Sequence, residues 1–221
     1  MRAATATTHL EVDTAVLLVP EHHPLHLAKE IASLDNYSGG RFHFGIGAGG
    51  NKEEAELLGC DFEHRWTQVR EVIEVMKACW TTDPSEYHGK YYDIPPVRCH
   101  PKPAQRPHPP IYLGSIMFDD QWAKRVFQRI VRYGDDRLPV AHNISQVADG
   151  RAQLRALAEA AGRDPDSIRV TVLGATGQWR QRQHIDGFER SGVEQVVIWL
   201  DGRSADDLCR EIDTLAASLL G

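Results

Sequence analysis

The sequence lacks the features that mark membrane-spanning and secreted proteins. None of its apolar runs approaches the roughly 20 residues that a membrane helix needs, and residues 1–5 do not have the apolar core of a signal peptide. Its four cysteines stand far apart, and no two of them form a CxxC pair. We therefore expect a cytoplasmic protein with free thiols and no association with a membrane.

The sequence also lacks an excess of positive charge. The formal net charge is −6, with 25 lysines and arginines against 31 aspartates and glutamates. Proteins that bind nucleic acid or acidic membranes usually carry a basic surface, so we expect neither kind of partner. The length of 221 residues and a hydrophobic content of 42% are those of one globular domain, which we assign to residues 1–221.

Strand and helix patterns alternate along the chain. The spacing of apolar residues and the turn residues predict six strands, at about residues 10–18, 42–47, 111–114, 137–140, 169–174 and 195–200. A helical pattern follows each strand, and the long helix under residues 62–80 is the clearest. Alternation of this kind indicates right-handed βαβ units and a parallel sheet, either an open doubly wound sheet or part of a barrel.

The proline- and aromatic-rich stretch at residues 83–110 interrupts this alternation. Residues 87–92 form a candidate hairpin, and five prolines follow between residues 101 and 110. We expect an ordered connection over the protein surface here, although such a composition is also found in linkers.

The glycine-rich segment at residues 45–50 matches the G-x-G-x-x-G pattern between a strand and a helix. A dinucleotide site of the Rossmann type also requires an acid about 20 residues further on, at the end of the next strand. Glu71 is at that distance, but it falls inside the long predicted helix. The pattern favours a close approach of the backbone to a flat or anionic group more than it favours a dinucleotide site.

Two other segments are candidate binding sites. Gly114 and Ser115 follow a predicted strand and precede a helix, where backbone N–H groups and a hydroxyl can hold a phosphate; an ordinary turn has the same pattern. His22, His23 and His26 surround Pro24, but the proline divides them between a loop and a helix. We therefore predict no metal site.

Ten short segments resemble, in order, the luciferase-like monooxygenase superfamily, in particular its coenzyme F420-dependent oxidoreductases. Among them are Ser38-Gly39-Gly40-Arg41 and Gly89-Lys90-Tyr91-Tyr92. The segments lie at residues 7–10, 13–16, 23–29, 34–35, 38–41, 45–49, 80–84, 89–92, 101–111 and 133–135.

The resemblance implies a (β/α)8-barrel (TIM-barrel) fold with a flavin or deazaflavin at the C-terminal ends of the strands. The first predicted strand would carry a bulge against the ring system, with a cis peptide between Ala15 and Val16. Asp13 stands where the family usually has glycine, and Ala48 stands where sugar-phosphate-oxidising relatives have an acid. The implied cofactor-binding residues are Thr14, Ala15, Val16, Gly47, Ala48, Gly49, Asn51, Gly114 and Ser115. No catalytic residue is assigned.

The resemblance begins at the third strand of the family's barrel, so the first strand, first helix and second strand are without a counterpart. An incomplete barrel of about six parallel strands would have two open edges, and open edges recruit partners. We therefore expect a homo-oligomer.

Two functions follow from this. One is an oxidoreductase or monooxygenase that transfers hydride between coenzyme F420, or alternatively FMN, and a small organic substrate. The other is a truncated, non-catalytic protein that binds flavin or no cofactor and acts through oligomerisation.

Overall fold

The computed structural model describes residues 2–116, 120–141 and 143–220, with the side chains of all these except residues 115, 116 and 120–122. The chain divides into two compact units, Met1–Tyr112 and Leu113–Gly221. Each unit contains parallel strands and helices that connect them, and the first unit also contains an antiparallel hairpin.

The first unit contains four helices, five complete strands and the start of a sixth. The helices are α1 (Arg2–Ala6), α2 (Pro24–Ser38), α3 (Lys52–Leu57) and α4 (Arg65–Thr81). The strands are β1 (Val12–Asp13), β2 (Leu17–Leu18), β3 (Phe42–Gly47), β4 (Ser85–His88), β5 (Asp93–Val97) and β6 (Ile111–Ile116). Short 3-10 helices lie at Val19–Glu21 and Phe62–His64.

Strand β3 is the centre of the first unit's sheet. Both β1 and β2 run parallel to it, and on its other side the N–H of Phe44 donates to the carbonyl of Pro110, 2.8 Å away, at the start of β6. All six residues of β3 are buried. Because side chains alternate along a strand, Phe42, Phe44 and Ile46 share one face and His43, Gly45 and Gly47 share the other.

Helix α2 has sequence signals at both ends. It begins with Pro24 at its first position, where the missing N–H costs no hydrogen bond. It ends at Gly39, whose φ of 70° is the left-handed conformation that favours glycine. The helix packs against α4 and β3, and the indole N–H of Trp80 donates to the carbonyl of Ala28 at 2.9 Å.

Arg41 fastens the first residues of the chain to the end of α2. Its guanidinium donates to the carbonyl oxygens of Ala4 at 2.8 Å, Thr7 at 3.0 Å and Ser38 at 2.6 Å, and also to that of Leu10. A side chain with five donors can satisfy several carbonyls at once, which explains the arginine at the end of the Ser-Gly-Gly-Arg segment.

Strands β4 and β5 form the hairpin that the sequence predicted, although it is longer than residues 87–92. The buried carboxylate of Glu71 on α4 accepts hydrogen bonds from the N–H groups of Lys90 (3.1 Å) and Tyr91 (2.7 Å) in its turn. Glu71 therefore anchors the hairpin. The Rossmann alternative is wrong, because this acid lies within α4 and the order of the described strands does not reverse at β3.

The second unit alternates strand and helix. Its elements after β6 are α5 (Asp120–Tyr133), β7 (Asp136–Val140), α6 (Ile144–Ala160), β8 (Arg169–Leu173), α7 (Arg182–Arg190), β9 (Gln195–Val197) and α8 (Ala205–Leu219), with a 3-10 helix at Pro165–Ser167. Strands β7, β8 and β9 are parallel neighbours. The core of this unit includes Val170, Val172, Trp179 and Phe188, all buried.

The six predicted strand regions all contain strand, but some bounds were wrong. The first region is split into two strands of two residues each, and the last ends at Val197 rather than at residue 200. The region predicted at 111–114 continues to Ile116. These differences arise from pairing with neighbouring strands, which the local sequence pattern does not contain.

Candidate functional site

The chain between β1 and β2 carries a bulge against β3. Asp13 pairs with His43, whereas Leu17 pairs with Ile46, so three residues on one strand face two on the other. An extra residue in one strand defines a β-bulge. The bulge consists of Thr14, Ala15 and Val16, and the peptide bond between Ala15 and Val16 is cis. The bulge and its cis bond, both implied by the family resemblance, are confirmed.

Thr14 holds the bulge against β3. Its hydroxyl donates to the carbonyl of Gly45 at 2.7 Å, and its N–H is 3.4 Å from the carbonyl of His43. Ala15 and Val16 are exposed, and 37% of the surface of Val16 is accessible. The bulge thus offers apolar surface to a ligand close to the C-terminal end of β3.

The glycines of β3 are required by this close approach. A Cβ atom at Gly45 would lie 1.7 Å from the carbonyl oxygen of Thr14, and one at Gly47 would lie 2.9 Å from Cγ2 of Val16. By contrast, a Cβ at Gly50 would have no neighbour within 4 Å. The sequence predicts close approach of a flat or anionic group to the glycine segment; in the structure, the protein's own bulge approaches Gly45 and Gly47 closely.

The segment after β3 turns at the C-terminal end of the strand, which is the end where barrel enzymes place their sites. Ala48 is buried, and Gly49 has a φ of 78°, which favours glycine. The side chain of Asn51 caps α3 and accepts from the N–H of Glu54 at 3.4 Å. Asparagine is one of the residues preferred at this position because its side-chain oxygen can accept from a free N–H of the first turn.

Glu21 and Arg65 lie beside this segment, and the sequence reasoning missed both. A Cβ atom added at Gly49 would lie 3.2 Å from one carboxylate oxygen of Glu21, so this side chain is next to the backbone of Gly49. Burial raises the pKa of Glu21, and the negative charge of Glu54 raises it further. Arg65 donates to the carbonyl of Gly49 at 3.2 Å. An acid just beyond Pro20, which ends the first strand region, was a usable signal for Glu21; no local pattern indicated Arg65.

A buried polar pair lies on the same face of β3 as Gly45 and Gly47. Oη of Tyr112 and Nδ1 of His43 are 2.6 Å apart, and both residues are buried. The carboxylate of Glu11 is 3.8 Å from the same ring nitrogen. The sequence reasoning did not predict this pair, because the neighbours of His43 in the strand are apolar residues and glycines.

One of the histidines around Pro24, His23, has a structural role. Nδ1 of His23 accepts a hydrogen bond from the N–H of Leu25 at 3.3 Å and so caps α2. The rings of His23 and His26 are 5.7 Å apart. Over residues 2–116, 120–141 and 143–220, no group of three metal-ligating side chains is placed to hold an ion.

The position of Gly114 and Ser115 corrects one prediction. We expected a loop at the start of a helix, but both residues lie within β6, and α5 begins at Asp120. Strand β6 extends two residues beyond the predicted strand, to Ile116. The side chain of Ser115 lies outside the described part, so its proposed contact with a phosphate stays a prediction.

The comparisons with known proteins begin with a family model. The model for luciferase-like monooxygenases matches residues 2–179, which is most of the chain. The chain belongs to the luciferase-like monooxygenase family. This family comprises flavin- and F420-dependent monooxygenases and oxidoreductases.

Two relatives show how the chain compares within the family. An uncharacterized protein of Mycobacterium tuberculosis is 32% identical over 219 residues, which is 98% of this chain and 73% of that protein. The FMNH(2)-dependent dimethylsulfone monooxygenase of Pseudomonas putida is 35% identical over 113 residues, which is 50% of this chain and 31% of that enzyme. The chain thus spans less than a third of the sulfone monooxygenase.

The fold matches that of a solved structure. The coenzyme F420 dependent tetrahydromethanopterin reductase from Methanopyrus kandleri matches with a TM-score of 0.76 at 19% identity, over 99% of this chain and 85% of that one. The predicted fold class, the (β/α)8-barrel family with about six parallel strands, is confirmed. None of the helices in the described ranges is long and apolar enough to cross a membrane.

Proposed function

We propose that this luciferase-like protein is an oxidoreductase or monooxygenase that binds coenzyme F420, with FMN as the alternative, and acts on a small organic substrate. The observation that carries the proposal is the bulge at Thr14–Val16, which lies against β3 beside the Gly47–Asn51 segment. Similarity to both an F420-dependent and an FMNH(2)-dependent enzyme supports the two cofactors as candidates.

The first unit supplies the residues proposed to hold the ring. Ala15 and Val16 present apolar surface, and a flat ring gains stability by covering such surface. The proposed ring contacts are Thr14, Ala15, Val16, Gly47, Ala48, Gly49 and Asn51.

The phosphate of the cofactor is assigned to Gly114 and Ser115 by resemblance alone. The backbone of both residues belongs to β6. If Ser115 donates a hydrogen bond to the phosphate, its loss costs roughly 1.5–3 kcal/mol, which is about a tenfold or larger loss of affinity. Ser115→Ala should therefore weaken cofactor binding without abolishing it.

When bound, the cofactor accepts or donates the hydride. The protein's part is to orient the ring and exclude water. The burial that raises the pKa of Glu21 lets this acid keep its proton at a higher pH, as a general acid requires. Glu21 is therefore our candidate for proton transfer beside the Gly47–Asn51 segment.

Fluorescence titration with coenzyme F420 and with FMN tests the proposal. Gly47→Val and Gly50→Val form a matched pair, because the first displaces Val16 and the second enters open space. We expect binding by the parent protein, at least tenfold weaker binding by Gly47→Val and a smaller change for Gly50→Val. If neither cofactor binds the folded parent at high micromolar concentration, the cofactor-free alternative replaces this proposal.

We also propose that the protein is a homo-oligomer. The large apolar side chains of Leu10 in the first unit and Trp199 in the second are 65% and 53% exposed, and a partner would cover such apolar surface. Multi-angle light scattering should give at least twice the monomer mass, and a stable monomer at micromolar concentration would overturn this expectation. The cytoplasmic location stays a prediction from the sequence.

A further inference from the structure

Two buried cysteines meet at the end of helix α4. Cys79 lies in the last turn of α4, and Cys99 lies two residues beyond β5. Only 1% of the surface of Cys79 and 9% of that of Cys99 are exposed, and both are free thiols in the structure. The sequence, which separates them by a whole hairpin, gives no sign of this contact.

Several contacts hold the two thiols together. Oγ of Ser85 lies 3.8 Å from Sγ of Cys79 and donates to the carbonyl of Val97 at 3.2 Å, so the strand leading to Cys99 is fixed beside Cys79. The Cys99 thiol is close enough to act on the Cys79 thiol, and it contributes, after burial, to the raised pKa of that group. Beyond Cys99, the ammonium group of Lys102 donates to the carbonyl of Cys79 at 2.7 Å.

We propose that Cys79 and Cys99 form a reversible disulfide in the presence of a disulfide oxidant such as oxidised glutathione. The proposal is independent of the proposed cofactor and substrate. A disulfide requires its two β-carbons about 3.5–4.5 Å apart, and the contacts of Ser85 and Lys102 hold the segments of the two cysteines beside each other. The other two cysteines, Cys60 and Cys209, are also free thiols, the first buried and the second exposed.

The reaction proceeds in two exchange steps. The thiolate of Cys99, the more exposed of the pair, attacks one sulfur of oxidised glutathione and releases a glutathione thiolate. The thiolate of Cys79 then attacks the Cys99 sulfur of the mixed disulfide and releases the second glutathione. The two protein thiols lose two electrons and two protons in total, and oxidised glutathione is reduced to two molecules of glutathione.

The surroundings of Cys79 predict how the rate depends on pH. Burial raises the pKa of the Cys79 thiol above its ordinary value, so the reactive thiolate is scarce at neutral pH. Closure of the disulfide should therefore become faster as the pH rises. Once formed, the bond closes the loop that contains the hairpin and restricts the unfolded chain, which raises the midpoint of thermal unfolding.

The test uses the full chain with Cys209→Ser, which removes the exposed thiol. After incubation with oxidised glutathione at pH 7.5 and at pH 8.5, the protein is unfolded, alkylated and mapped by mass spectrometry without reduction. We expect one linked pair of tryptic peptides containing Cys79 and Cys99, faster linkage at the higher pH, and a rise of several degrees in the unfolding midpoint that dithiothreitol reverses.

Cys60→Ser, also at a buried cysteine, is the matched control and should leave the linkage intact, whereas Cys99→Ser should abolish it. The proposal is overturned if the Cys209→Ser protein keeps all its thiols alkylatable at both pH values, or if Cys60 replaces either member of the pair in the linked peptides. The peptide mapping of the Cys209→Ser protein leaves both Cys79 and Cys99 unchanged. Poor folding of Cys99→Ser would therefore not obscure the outcome.

Discussion

Asp136 is a fully buried carboxylic acid in the second unit. Its replacement by asparagine tests how the protonation of this acid affects the stability of the protein. Burial raises the pKa of Asp136 to about 7, from an ordinary value of 3.8; hydrogen bonds from Thr171 and the charge of Arg169 oppose this rise but do not outweigh it. Such an acid prefers to be protonated in the folded protein.

The hydrogen bonds around Asp136 suit an asparagine. The carboxylate accepts from the N–H of Thr171 at 3.1 Å and from its hydroxyl at 2.8 Å, and that hydroxyl also lies 3.4 Å from the amide oxygen of Gln195. In Asp136→Asn the amide oxygen can still accept from the N–H. The amide nitrogen can donate to the hydroxyl, which then donates to Gln195. Asparagine thus imitates the protonated acid.

The size of the effect follows from the two pKa values. Because the folded-state pKa exceeds the unfolded one, the stability conferred by the protonated acid is complete below pH 3.8 and is lost as the pH rises through 7. A difference of about 3.2 pH units corresponds to a loss of at most about 4 kcal/mol. Roughly 2.5 kcal/mol of this loss falls between pH 5 and pH 8.

Urea unfolding followed by tryptophan fluorescence at several pH values from 5 to 8 measures this loss. Asp136→Asn should be more stable than the parent at pH 8, and the difference should shrink towards pH 5. Asp213→Asn, an exposed change on α8, is the control and should follow the pH profile of the parent. Parallel profiles for the parent and Asp136→Asn, or a less stable Asp136→Asn at pH 8, would refute the reasoning.

Two further changes test the first unit. Arg41→Met removes the hydrogen bonds to Ala4, Thr7 and Leu10, each worth about 1.5–3 kcal/mol for a charged group. Limited proteolysis within residues 2–10 should therefore accelerate at least tenfold, and an unchanged cleavage rate would contradict the anchoring role of Arg41. Gly45→Ala forces a methyl group against the carbonyl of Thr14 and should lower the free energy of unfolding by at least about 1–3 kcal/mol. Gly50→Ala should change it by less than about 1 kcal/mol, and equal effects in urea unfolding would show that the bulge does not require Gly45.

The sequence by itself determined the order of the elements and many of their ends. Local signals are sufficient where the interactions are local, as at the Asn51 cap and at Gly39 after α2. The alternation of strand and helix, together with ten family segments, also determined the fold class, because a run of βαβ units leads to a parallel sheet. The bulge at Thr14–Val16 came from resemblance, not from periodicity.

The tertiary structure alone decided which residues meet. Gly45 and Gly47 are required because the bulge crosses close above them, and the strand that begins at Ile111 extends through Ser115 to Ile116. The position of Glu21 beside Gly49 and the contact between Cys79 and Cys99 join segments that lie 20 or more residues apart in the sequence. The periodicity of a sequence reports the order of apolar and polar residues within one segment. These contacts depend instead on which other segment the fold packs against it.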